Sequence, residues 1–162
     1  MTSVPPVRVL IADDHQLFAE ALGLTLNIDP RVELVGQARN GKEAVELALE
    51  LCPDAVLMDL EMPILDGAGA TRQIRRALPE CEVLVLTASG AAEDANRARS
   101  AGATAYLTKD CSMRDVIDAL LEVALPDDNE RKEEADSERR TWAPRAAGRP
   151  RSLLQYRSLF TH

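Results

Sequence analysis

Five positions in this 162-residue chain carry side chains that could act together on a phosphoryl group. Asp13 and Asp14 follow the β-branched run Val7-Arg8-Val9-Leu10-Ile11-Ala12. Asp59 ends the apolar run Ala55-Val56-Leu57-Met58, and a short loop with Pro63 and Asp66-Gly67 comes after it. Thr87 closes Glu82-Val83-Leu84-Val85-Leu86, and Lys109 lies two residues beyond Leu107. A carboxylate can attack phosphorus and form an acyl phosphate. Three carboxylates held together repel and require a cation. Hard oxygen ligands with an open face suit Mg²⁺, which keeps several waters and shares a phosphate oxygen. A lysine and a hydroxyl add a charge and a hydrogen bond to the phosphoryl oxygens. Phosphoryl transfer is mostly positioning and charge neutralisation, so this set is sufficient, with Asp59 as the nucleophile.

These residues meet only if the chain folds so that the ends of four strands converge. The pattern predicts strands at 7–12, 32–38, 55–58, 82–87 and 104–107. Between them lie helical periods. The first has apolar residues at Leu17, Phe18, Ala21, Leu22, Leu24 and Leu26 and is closed by Asp29-Pro30. The second starts at Asn40-Gly41, buries Ala44, Val45, Leu47, Ala48 and Leu51, and stops at Pro53. The third runs from Gly67 to Leu78. The fourth, capped by Ser89, reaches about Ser100 with little apolar anchorage. The fifth is capped by Ser112 and carries Met113, Val116, Ile117, Leu120, Leu121 and Val123-Ala124. Strands alternating with helices imply parallel pairing and right-handed crossovers. The economical solution is an α/β fold, a flavodoxin-like doubly wound five-stranded parallel sheet of order 2-1-3-4-5, (βα)5. In that topology Asp13, Asp14, Asp59, Thr87 and Lys109 share one crevice at the carboxyl ends of the strands.

The bulk properties narrow the field. Hydrophobic residues make up 46% of the chain but aromatics only 3%, so the core must be aliphatic. The net charge of -8 argues against broad binding to nucleic acid or a membrane surface. That charge is uneven: residues 1–125 hold 20 acids and 11 bases, 126–138 hold seven and two, and 139–162 hold six bases and no acid. The segments read as a domain (1–125), a charged linker (126–138) and a basic, disordered tail (139–162). Cys52, Cys81 and Cys111 are too scattered for a metal cage and read as reduced core thiols. With no signal-peptide pattern and no membrane span, the expected location is cytoplasmic.

Taken in register, Asp13-Asp14-His15, Asp59-Leu60-Glu61-Met62-Pro63 with Asp66-Gly67, Thr87-Ala88 and Tyr106-Leu107-Thr108-Lys109-Asp110 resemble the receiver domain of bacterial two-component response regulators. The Asp-Asp-His start and the Tyr-Leu-x-Lys-Asp end most resemble the NarL/FixJ (LuxR-type) subfamily. The resemblance implies that Asp59 is the phosphoacceptor, supplied by a cognate histidine kinase. It implies that Asp14 and Asp59 ligate Mg²⁺ by side chain, Asp13 through water and Glu61 through its backbone carbonyl. Thr87 and Lys109 become the switch pair at the phosphoryl oxygens, and Tyr106 the aromatic that follows Thr87. The helix 4–strand 5–helix 5 face would then change, with phosphorylation-dependent homodimerisation as one outcome. Such a domain assists its own phosphorylation and dephosphorylation but is not an enzyme in the ordinary sense.

The subfamily's helix-turn-helix output module is not recognisable here, so nucleic-acid binding is expected only if such a module is missing from this chain. A truncated transcriptional regulator, a frameshifted end and a stand-alone receiver all remain open. An aspartate-nucleophile phosphatase is the rival enzyme reading, because Glu61 sits two residues after Asp59. A flavin protein is disfavoured by the acids in the crevice. His15 reads as structural or solvent-facing and is given no chemistry.

Overall fold

The computed structural model describes residues 4–125 and the backbone of 144–145. Strands β1 (Val7–Ala12), β2 (Val32–Ala38), β3 (Ala55–Met58), β4 (Glu82–Thr87) and β5 (Ala105–Thr108) alternate with helices α1 (Gln16–Ile28), α2 (Gly41–Leu51), α3 (Gly67–Ala77), α4 (Ala92–Ser100) and α5 (Met113–Ala124). The strands pair in parallel in the order β2-β1-β3-β4-β5. This is the flavodoxin-like doubly wound α/β sheet expected from the pattern. A two-residue strand β6 (Pro144–Arg145) adds a sixth parallel member beside Tyr106 and Leu107 of β5. The linker at 126–138 and the remainder of the basic tail lie outside the described residues.

The period of two along a strand divides the core. Val9 and Ile11 of β1 pack with Leu22 and Leu26 of α1, Leu57, Leu84, Leu107, and Val116, Ile117 and Leu120 of α5. Leu10 and Ala12 point the other way, toward Ala44 and Ala48 of α2, Val56, Met58, Val83 and Ile74 of α3. Burying an aliphatic side chain of this size is worth about 1.5–3 kcal/mol relative to leaving it exposed. The central strands, covered on both faces, are apolar almost without interruption, as parallel strands must be.

The first helix departs from expectation. Its buried residues are Ala19, Leu22, Gly23 and Leu26, while Leu17, Leu24 and Ile28 are exposed at 83%, 68% and 82%. A helix that is apolar nearly all round can bury only the stripe facing the sheet, and Gly23 selects that stripe. A Cβ there would lie 2.9 Å from the Gln37 side chain and 3.2 Å from that of Leu34, so this face presses against β2.

Two other readings shift. The start of α4 is capped by Ala91 with no side-chain bond, not by Ser89. Ser89 instead accepts a bond from the Ala91 backbone N–H at 3.2 Å. Strand β5 runs from Ala105 to Thr108, one residue later than expected, and Thr104 leads into it with its N–H on the Val83 carbonyl and its hydroxyl on the Glu82 carboxylate. Cys81 and Cys111 are buried, but Cys52 is exposed in a left-handed conformation at the end of α2. It is therefore not a core thiol.

Candidate functional site

The site is built by strand ends. Asp13 follows β1, and its backbone N–H donates to the Ala38 carbonyl at 3.0 Å. Asp59 follows β3, and its N–H donates to the Ala12 carbonyl at 2.9 Å. The sheet ladder thus continues one residue past each strand and sets the two acids side by side. Both are buried, at 4% and 3% exposure. Lys109 comes one residue after β5, with its N–H bonded to the Thr87 carbonyl at 2.7 Å. Its ammonium lies 2.7 Å from Asp13 Oδ2 and 3.3 Å from Asp59 Oδ2, over the Phe18 ring at 4.7 Å from the centroid.

One lysine does not satisfy two buried carboxylates. Loss of water and the neighbouring Asp13 charge push the Asp59 carboxyl up to about 6, although Lys109 and the Glu61 backbone N–H pull the other way. A buried acid raised by desolvation and a like charge is a common mark of a functional site. Asp14 Oδ1 approaches the same place from a more exposed position: it lies 3.5 Å from His15 Nδ1, which is 3.8 Å from Asp59 Oδ2. Oxygen donors from Asp13, Asp14 and Asp59 therefore gather within one ion's reach and fit a hard divalent cation in ligand type and charge.

The loop after Asp59 is held by close backbone packing. A Cβ on Gly67 would sit 1.9 Å from the Asp59 carbonyl oxygen, and one on Gly41 would sit 2.0 Å from the Leu65 carbonyl oxygen. The Gly67 N–H donates to Leu60 O and the Gly41 N–H to Leu65 O, at 2.8 and 3.0 Å. Asp66 caps α3 by accepting from the Gly69 N–H at 2.7 Å. Ile64, at the turn, has φ 73°, a costly conformation for a β-branched residue.

Thr87 is buried at the end of β4, and its hydroxyl accepts from the Ser89 N–H at 3.4 Å. Tyr106 is buried in β5, and its hydroxyl donates to the Ser89 carbonyl. Burial, with the Asp94 charge second, raises the Tyr106 phenol above its ordinary range. The structure therefore joins Thr87 and Tyr106 through the β4–α4 loop.

Asp13, Asp14, Asp59 and Lys109 meet in the crevice, and Thr87 borders it through the bond from the Lys109 N–H to its carbonyl. Two expected residues direct their side chains elsewhere: Tyr106 packs with Leu60, Val85, Ala95 and Ala98, and Glu61 is 72% exposed and meets Arg97 of α4 at 3.1 Å. Arg97 also reaches Asp94 at 3.0 Å and Asp66 at 3.3 Å. Sequence reasoning missed Arg97, which lies 36 positions from Glu61. It also missed His15, whose ring joins the acid cluster. Adjacency to Asp14 was the available signal for His15; Arg97 had none.

The family model of the response regulator receiver domain matches residues 9–121. The chain belongs to that family. The response regulator protein VraR of Staphylococcus aureus is 40% identical over 114 residues, covering 70% of this chain and 54% of that protein. The chain thus spans about half the length of the curated relatives it matches. The signal receiver domain of NarL from Mycobacterium tuberculosis superposes with a TM-score of 0.73 at 34% identity, over 76% of this chain and 99% of that one. The response regulator domain of Thermotoga maritima CheB gives 0.63 at 35%, over 74% and 93%. The homologues are response regulators of the NarL and VraR kind, as the Asp-Asp-His and Tyr-Leu-x-Lys-Asp motifs anticipated.

Proposed function

We propose that this receiver domain is a phosphorelay switch whose phosphoacceptor is Asp59. The observation that carries it is the pair of buried carboxylates, Asp13 and Asp59, sharing one ammonium. In the transfer, an Asp59 carboxylate oxygen attacks phosphorus on a histidine kinase or small acyl phosphate. A C–O–P linkage forms as the donor's P–N or P–O bond breaks, and the departing group leaves with that electron pair. A bound Mg²⁺ would supply the positive charge that offsets the carboxylates and the phosphoryl oxygens. Asp14 and Asp59 would hold it by side chain, Asp13 through water and Glu61 by its backbone carbonyl. Lys109 moves its charge to a phosphoryl oxygen, and the Thr87 hydroxyl donates to another.

The readout follows from connectivity. When Thr87 turns toward the phosphoryl group, its contact with the Ser89 N–H is lost, and Tyr106 holds the carbonyl of that same Ser89. Helix α4 buries only Ala95 and Ala98, so little apolar contact resists a shift. A local charge event thereby biases a two-state element. The α4–β5–α5 face is the surface that would change for a partner or a second copy. On this reading the domain aids its own phosphorylation and hydrolysis but turns over no other substrate. The phosphatase alternative needs Glu61 as an acid in the crevice, and its pairing with Arg97 disfavours that role.

A second reading, favoured by the half-length match to VraR, is that this is the receiver part of a longer transcription regulator; sequencing the locus past His162 tests it. Among the described residues no helix is long and apolar enough to cross a membrane, which fits a cytoplasmic switch.

The test of phosphorylation is intact-mass measurement after incubation with a small acyl-phosphate donor and Mg²⁺. One phosphoryl group should be gained, be labile to hydroxylamine, and be absent in Asp59→Asn. No gain, or a gain that survives that substitution, overturns the assignment.

A further inference from the structure

One side chain in the crevice, His15, neither accepts the phosphoryl group nor contacts its oxygens in the proposed transfer. His15 precedes α1, and its backbone N–H donates to Asp13 Oδ1 at 2.8 Å, so its position is pinned by one of the site's own carboxylates. Its ring then turns inward. Nδ1 lies 3.3 Å from Asp13 Oδ1, 3.5 Å from Asp14 Oδ1 and 3.8 Å from Asp59 Oδ2. Neighbouring ligands around an octahedral divalent ion are separated by about 3 Å, given metal–oxygen bonds of about 2.1 Å. The imidazole nitrogen thus stands near ligand spacing from three carboxylates at once. The ring is 66% exposed and can close the remaining gap, largest toward Asp59, without repacking the core. Lys109 Nζ also lies 3.4 Å from Nδ1. In the tautomer with an unprotonated Nδ1, that lone pair accepts from the ammonium and is the one a metal would take; with Nδ1 protonated the ring faces the Asp13 carboxylate as a donor instead.

We propose that His15 is a metal-selecting ligand: its Nδ1 joins the carboxylates of Asp14 and Asp59 around a first-row transition ion such as Mn²⁺, and makes the site prefer that ion to Mg²⁺. The reason is ligand chemistry. Carboxylate, carbonyl and water suit Mg²⁺, which dehydrates reluctantly and gains little from a nitrogen donor. Imidazole in place of one water favours the transition ions; Mn²⁺ stands lowest in that series and also accepts oxygen donors, so one nitrogen gives it a modest advantage over Mg²⁺. The same crevice then has two modes, an all-oxygen mode for Mg²⁺ and a nitrogen-containing mode for Mn²⁺. This inference rests on the reading of the crevice as a cation site.

The test uses the full chain and Mn²⁺ alone. Titration followed by the electron paramagnetic resonance of free Mn²⁺ gives its affinity, and competition gives that of Mg²⁺. Pulsed resonance on the bound ion detects a coordinated ¹⁴N. The chain has two histidines, His15 and His162, so His15→Gln and His162→Gln separate the sources. The expected result is a nitrogen coupling that survives His162→Gln and disappears in His15→Gln. Mn²⁺ should bind measurably more weakly in His15→Gln, with Mg²⁺ affinity little changed. Bound Mn²⁺ without nitrogen coupling, or a coupling that persists in His15→Gln, overturns the proposal while leaving the cation site standing. If neither ion binds the unmodified chain, the cation-site reading fails and this inference falls with it.

Discussion

The two ends of the sheet are built from the same strands but close their polar groups differently. At the amino end Arg8 donates from its backbone N–H to Asp54 Oδ2 at 2.9 Å, and its guanidinium reaches the Leu51 and Cys52 carbonyls at 2.8 and 3.2 Å. Arg75 serves the Pro79 and Cys81 carbonyls at 2.8 and 2.7 Å. Helix ends and strand starts are bonded, and the covered charge of Arg75 has an opposite partner in Glu82 at 3.9 Å. At the carboxyl end two acids are buried together against one lysine. One end is arranged for stability and the other holds an unresolved charge. That charge gives a cation and a phosphoryl group something to stabilise.

The largest way to sharpen this contrast is Asp59→Asn, measured by chemical denaturation with a chelator present. The folded carboxyl titrates at about 6, against 3.8 as its ordinary value. Below pH 3.8 both folded and unfolded states hold the proton, so there is no penalty. Between about 4 and 6 the unfolded chain ionises first, and folding is progressively penalised. Above 6 the penalty is complete, on the order of 3 kcal/mol at most. Asp59→Asn should therefore be more stable than the parent at pH 7, with an advantage that fades as pH falls from 6 to 4. Mg²⁺ should narrow the gap by stabilising the parent alone. An advantage over the parent no larger at pH 7 than at pH 4 would contradict the claim that this end stores charge repulsion.

Next in size is Gly67→Ala. Its added methyl would meet the Asp59 carbonyl 1.9 Å away, and backbone on both sides cannot give as a flexible side chain would. The expected loss is about 1–3 kcal/mol, with acyl-phosphate formation falling as well because Asp59 itself is displaced. At the opposite end, Arg8→Ala should cost about 1–2 kcal/mol by leaving the Leu51 and Cys52 carbonyls to water. That loss should be flat between pH 5 and 8, and phosphorylation should be unaffected. A pH-dependent loss at Arg8 would erase the distinction between the ends.

Much of this was legible in the sequence, for a physical reason. A buried parallel strand must be apolar, so a chemical group at its carboxyl end stands out: Asp59 after Ala55–Met58, Thr87 at the end of Glu82–Thr87, Lys109 just past β5. The strand order follows from alternating elements and handed crossovers. What escaped was whatever depends on direction rather than period. The helical period of α1 is equally consistent with burying Leu24 or Leu22, and only the close approach at Gly23 chooses. His15 reads as solvent-facing, and its ring is 66% exposed, but nothing in one dimension says that the ring also leans over Asp13. Ser89 read as a cap because of its type, whereas its carbonyl is taken by Tyr106. The contact of Arg97 with Glu61 and Asp66 joins segments that share no periodicity.

Arg97 gives the smallest effect and the most direct probe of how the charged end communicates. Its three carboxylate partners belong to α4 itself (Asp94) and to the loop after Asp59 (Glu61, Asp66). Arg97 is 40% exposed, so each pair is screened, and Arg97→Gln should change stability by less than about 1 kcal/mol. Its consequence should appear elsewhere. Glu61 sits between Asp59 and the rest of the loop, and Arg97 ties that loop to the helix with the least apolar anchorage. Cutting the tie should leave phosphorylation of Asp59 intact while increasing amide exchange across Ala92–Ser100 in the unphosphorylated chain. Unchanged exchange in α4 would mean that the loop and the helix are coupled only through Thr87, Ser89 and Tyr106, and that the ion pairs are surface contacts without mechanical effect.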